Sequence, residues 1–240
     1  MTFIIMHKTC AAWEAGALPA PDLIARVGAM LGELSAAGVL LGGEGLRASS
    51  EGVRLILSDG ARTIVPGPFA GANELPAGFS IIRARSLDEA VEWATRQARV
   101  LDDVEIDIRP VTEPWDIGMA PPPPNPAGQR FMVLRKATGA TEAGTALTTP
   151  QRTQLSRLIY ETTKAGTHIT TVTMRPSARG RRVLNDVEGV LMFDGPFVET
   201  KELIAGYIIV TAASLDGAAA LARRYLDVVG ADEVDVRELE

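Results

Sequence analysis

Asp194-Gly195-Pro196-Phe197 repeats its core at Gly67-Pro68-Phe69, 128 residues earlier, and that interval decides the fold. Carried outward without a gap, the same offset aligns Gly78-Phe79 with Gly206-Tyr207, Ser86-Leu87-Asp88 with Ser214-Leu215-Asp216, and Arg109 with Arg237. Upstream it aligns Phe3 with Phe131, Lys8 with Lys136, Glu14 with Glu142, Ala37-Gly38 with Ala165-Gly166, and Arg47 with Arg175. One tripeptide recurs by chance. An ungapped register that also keeps the hydrophobic pattern requires a duplicated unit.

Each unit reads as strand, long helix, two or three strands, loop, strand, helix, strand. The first strand falls at 3–6 and 131–134, and the first helix at 21–36 and 151–164. Pro21 or Pro150 opens that helix and Gly38 or Gly166 closes it. Strands follow at 39–41 and 169–172, and on a hairpin at 53–57 and 183–184. A β-branched central strand covers 78–84 and 206–211. Ser86 and Ser214 stand where an N-cap belongs, before helices at 87–98 and 215–226, and a final strand covers 104–109 and 234–239. This pattern predicts an α+β fold of two fused βαββαβ repeats. Each repeat is an antiparallel sheet with helices on one face, and the two bare faces cover one another.

Between the repeats, Pro121 to Pro124 and Pro126 exclude helix or central strand and predict an extended tether, with Trp115 docking it. The expected domains are therefore residues 1–112, a linker at 113–129, and residues 130–240. With 24 basic against 30 acidic residues, a net charge of −6 gives no cationic surface for nucleic acid. The apolar run Thr2 to Met6 ends at His7 and Lys8, too short for a signal or a membrane span. A single Cys10 and no Cys/His cluster point to a reducing cytoplasm, with no disulfide, metal or cofactor expected.

The stretch Asp194-Gly195-Pro196-Phe197-Val198-Glu199-Thr200-Lys201-Glu202-Leu203-Ile204-Ala205-Gly206-Tyr207 resembles the signature of the DGPF subfamily of YCII-related proteins. Gly38 to Leu46 and Ile108-Arg109-Pro110-Val111 carry the same resemblance in the first repeat. The resemblance implies a ferredoxin-like half that assembles as a dimeric α+β barrel, formed here as a pseudo-dimer within one chain, with a further homodimer left open. It also implies bacterial relatives that are mostly uncharacterised, a His-Asp pair and a haloaromatic dehydrochlorinase among the wider YCII relatives, and DGPF members that accompany sigma factors. The pair's histidine belongs in the first strand. His7 stands there in the first repeat and Arg135 in the second.

Comparing repeats separates scaffold from candidate site. Gly, Pro and Phe of the loop persist, so the turn is structural. Asp194, Glu199 and Lys201 face Pro66, Gly71 and Asn73 in the first repeat, so the fold does without their charges. Read functionally, Asp194 is an acid or base, Glu199 raises its pKa and Lys201 steadies an anion. The plainer alternative is an Asx-type turn with a solvated charged face. His168 and His7 are the switchable acid/base candidates, each with a satisfied or rim role as its alternative. Arg47, Arg175 and Glu44 are candidate ligand contacts, although an ion pair of the arginines with Asp107 or Asp235 is the simpler expectation. The functional expectation is a small molecule bound between the sheets, with lyase- or isomerase-like acid/base chemistry in the second repeat. A non-catalytic binding or regulatory protein is the alternative.

Overall fold

Phe3, Ile4, Ile5 and Met6 are all buried, so the strand that carries them has a core on each face. Phe3 and Ile5 join one hydrophobic cluster, while Ile4 and Met6 join another. This strand is β1 (Thr2–Lys8) of a computed structural model that describes residues 1–58, 60–69, 74–124, 126–186, 189–197, 200 and 203–240. The first repeat continues through α1 (Ala11–Glu14), α2 (Pro21–Ala36), β2 (Leu40–Gly45), β3 (Val53–Ser58), β4 (Ala61–Pro66), β5 (Pro76–Ala84), α3 (Leu87–Leu101) and β6 (Glu105–Pro110). The second runs through β7 (Gln129–Lys136), α4 (Gly139–Glu142), α5 (Thr149–Lys164), β8 (His168–Thr173), β9 (Gly180–Asp186), β10 (Gly189–Asp194), β11 (Ile204–Thr211), α6 (Leu215–Val229) and β12 (Glu233–Glu238).

The strands form two six-stranded antiparallel sheets, ordered β10-β9-β12-β1-β11-β2 and β4-β3-β6-β7-β5-β8. Their inner faces meet through Ile4, Met6 and Tyr207 on one side and Phe79, Ile81, Met132 and Leu134 on the other. Helices α6 and α2 cover the outside of the first sheet, and α3 with α5 the second. Among the described residues neither sheet closes on itself.

One expectation needs correction: the repeats do not build separate sheets. Strands β1 and β2 of the first repeat sit with β9 to β12 of the second, while β7 and β8 sit with β3 to β6. The two first strands have the same alternation and buried residue types, so pairing within or across repeats buries equivalent surface. The connections decide. After β2 the chain leaves the first sheet, bridges Leu46 to Val111, turns at Ser49–Glu51 and enters the second sheet. Met174 repeats the crossing against Leu239.

The helix ends follow the local sequence. Ser86 and Ser214 accept the backbone N–H of Glu89 and Gly217, and Gly38 and Gly166 take the left-handed φ of +67° and +77° that follows α2 and α5. Helix α2 buries only Met30 and Leu34, which leaves its first half standing off the sheet.

Candidate functional site

The Gly-Pro-Phe turns persist for a packing reason. A Cβ at Gly67 or Gly195 would fall on the carbonyl oxygen of Ser49 or Ser177. Each serine is held by a carboxylate, with Glu14 accepting the Ser49 N–H at 3.0 Å and Glu142 the Ser177 N–H at 2.9 Å. Phe69 and Phe197 lie under the Arg54 and Arg182 guanidinium groups, both at 4.7 Å. Behind them are buried ion clusters. Arg54 donates to Asp107 at 2.6 Å and Glu74 at 2.8 Å, and Lys136 from the other repeat reaches Asp107 at 2.6 Å. In the matching place Arg182 meets Asp235 at 2.7 Å, and Lys8 meets it at 2.6 Å. Burial alone would raise the Asp235 carboxyl, but Lys8 and Arg182 outweigh it and hold it below its usual range. The turn therefore covers a charge network that locks one repeat to the other.

The charges of the second loop have another setting. Glu199 and Lys201 lie outside the described residues. Asp194 ends edge strand β10 with its side chain 67% exposed, paired to Arg181 at 2.6 Å. Arg181 also reaches Asp216 at 2.7 Å. His7 is three strands away in the same sheet, about 14 Å at the usual strand spacing. His168 is in the other sheet, half-buried, with Nδ1 3.0 Å from the Thr163 hydroxyl and Nε2 2.8 Å from the Thr171 hydroxyl. Trp93 stacks on it at 6.2 Å, and burial lowers its pKa. The structure thus brings none of Asp194, His168 and His7 together. Arg47 pairs with Glu51 at 2.6 Å and Arg175 with Glu238 at 3.3 Å. The expected partners Asp107 and Asp235 are taken by Arg54 and Arg182, which stand directly opposite them on the neighbouring strands β3 and β9.

His7 has the most distinctive surroundings. It lines a cleft of about 500 Å³ that runs from the outer face of the first sheet, under helices α2 and α6, round the β2 edge to Tyr207 and the linker. Its Nδ1 is 3.0 Å from the Tyr225 hydroxyl, and both Trp13 and Tyr225 meet its ring edge-on at 5.6 Å. Burial, with the Lys8 charge adding to it, lowers His7 to about 4, and burial also raises Tyr225. Both are neutral at pH 7. We assign the shared proton to the phenol, which leaves Nε2 as the N–H of the ring. The ring lies so close over Gly206 that a Cβ there would come within 2.7 Å of His7 Cε1. Glu44 and Tyr207 also line the cleft. Glu44 is raised by burial against the opposing pull of its Arg130 partner, and burial raises Tyr207 as well.

The cleft is composite, since His7 and Glu44 come from the first repeat and Tyr207 and Tyr225 from the second. It also departs from the repeat symmetry. The matching positions hold Arg135 for His7, Val172 for Glu44, Gln97 for Tyr225 and Thr141 for Trp13, and Arg135 is closed into a buried pair with Asp103 at 2.7 Å. Trp13, unmatched between the repeats, reads only as the cover of a helix end, and Tyr225 was missed. The signal was there, because the repeat comparison applied to the loop separates them too. The linker contributes Ile117 and Met119 to the cleft wall, while its Glu113 binds Arg130 at 2.8 Å.

Among the described residues no group of three or more His, Cys, Asp or Glu could hold a metal ion, and no helix is long and apolar enough to cross a membrane. Two stretches, 1–114 and 130–239, match the family model of the YCII-related domain. No curated protein and no solved structure matches the chain.

Proposed function

The chain belongs to the YCII-related family, matching it twice, and from that premise we propose that it is a small-molecule-binding protein whose site is the His7–Tyr225 cleft. One observation carries the reading: a neutral His–Tyr pair, with Tyr225 buried and His7 partly so, set in a mostly apolar cleft that only one side of the duplicated molecule carries. In this reading Tyr225 fixes the imidazole, and His7 Nε2 is the hydrogen-bonding handle for the ligand. A second reading adds acid/base turnover. The depressed pKa of His7 favours binding over it, because a conjugate acid near 4 gives little driving force for proton abstraction at neutral pH.

We also read the Asp194 loop as marking a DGPF-type second repeat. The order β12-β1-β11-β2, with α2 and α6 on one face, supports a ferredoxin-like unit assembled across the repeats, two of which stack as in a dimeric α+β barrel. The test is a metabolite-library screen read by mass spectrometry on the wild type and on His7→Gln, Tyr225→Phe and Asp194→Asn. The expected result is ligand retention lost in His7→Gln, weakened in Tyr225→Phe and unchanged in Asp194→Asn. Loss in Asp194→Asn alone would overturn the assignment in favour of the loop.

A further inference from the structure

The walls of the cleft say what kind of molecule it takes. Its only lining cation among the described residues is Arg47, whose guanidinium is engaged by Glu51 at 2.6 and 3.2 Å. The lining acids are committed as well, with Glu44 on Arg130, Glu51 on Arg47, and Asp116 accepting the Glu113 N–H at 2.9 Å. An anionic ligand would thus lose its hydration or have to displace Glu51 from Arg47, and a cationic one would compete with the partners these acids already hold. Apart from His7, Thr112 and the two tyrosines, the rest of the wall is apolar. Leu23, Ile24, Val27 and Leu31 of α2 stand half-buried around the opening.

Helix α2 also carries a glycine that its own stability disfavours. Gly28 lies within the helix, where glycine costs about 1 kcal/mol relative to alanine, and a Cβ added there meets nothing within 4 Å. That open space belongs to the cleft. In α5 the positions matching Leu23, Ile24 and Gly28 hold Gln151, Arg152 and Ser156, while those matching Val27 and Leu31 stay apolar as Leu155 and Ile159, so the first turns of the apolar wall and the glycine occur only on the side that has His7.

We propose that the cleft selects an uncharged, predominantly apolar molecule with a single hydrogen-bonding group, which seats its apolar body against α2 over Gly28 and its polar group at His7. The inference rests on the cleft being the binding site. Neutral imidazole and phenol groups suit it, since each can donate or accept one hydrogen bond without a charge to balance.

The experiment is calorimetric titration of the intact chain with cyclohexylmethanol, cyclohexanecarboxylate and cyclohexylmethylammonium, repeated on Gly28→Leu and on Ser156→Leu. Cyclohexylmethanol should bind at least about tenfold more tightly than either ion. Gly28→Leu should remove that binding without lowering the melting temperature, since leucine is the better helix former, and Ser156→Leu should leave binding unchanged. An ion that binds as tightly as the alcohol, and is displaced by Gly28→Leu, overturns the selectivity while leaving the cleft as the site. If none of the three probes binds, or Gly28→Leu changes nothing, both inferences fall.

Discussion

Replacing His7 with glutamine removes a residue that the unfolded chain protonates well before the folded chain does. An unfolded histidine titrates near 6.5, and burial, with Lys8 behind it, brings the folded value to about 4. Between those values the unfolded state binds a proton that the folded state refuses, so stability falls as the pH falls. Above about 7.5 the ring is neutral in both states and contributes no slope, and well below its folded value of about 4 it is charged in both and the loss is complete. A gap of about 2.5 pH units at about 1.4 kcal/mol each makes the whole loss about 3.5 kcal/mol, of which about 2 should appear by pH 5. Tyr225, Trp13 and Lys8 are the groups around the ring, and the acidic residues titrate alike in both proteins, so the difference between the two curves isolates His7. Urea unfolding at pH steps from 7 to 4.5 measures it. The wild type should lose about 2 kcal/mol more than His7→Gln between about pH 7 and pH 5. Parallel curves, or an imidazole that titrates near 6.5 by NMR, would refute the dry setting of the His7–Tyr225 pair.

Two further outcomes test the scaffold. Gly67→Ala and Gly195→Ala each drive a methyl group into the serine carbonyl behind the turn, and each should cost about 2–3 kcal/mol, lowering the melting temperature by roughly 5–10 °C. Asp107→Asn leaves Arg54 and Lys136 without their shared buried carboxylate and should cost about 3–5 kcal/mol in chemical denaturation, against about 0.5 kcal/mol or less for Asp194→Asn at its exposed pair. Equal costs for the two aspartates would mean that the charge network is not dry.

Much of the architecture was legible because local chemistry repeats. The capping serines, the glycines after α2 and α5, the alternation in β1 and β7 and the 128-residue register all act over a few residues or compare like with like. The candidate site was legible only in fragments. His7 and Glu44 stood out by type, and Trp13 was noticed as unmatched, but nothing along the chain ties any of them to Tyr225, which is 218 residues from His7. Asp194 drew attention because its loop is short and recognisable, whereas its exposure depends on β10 being a sheet edge.

What the sequence determined by itself is the duplication and the kind of each element, since periodicity, caps and turn residues are properties of neighbouring positions. Which strand lies beside which was decided only by the tertiary structure. Two copies of one pattern offer each strand two chemically equivalent partners, and the crossings after β2 and β8 choose between them. That choice puts β1 beside β11 and beneath α6, so His7 meets Tyr225 there rather than the Gln97 of its own repeat, and one cleft is assembled from halves that neither copy holds alone.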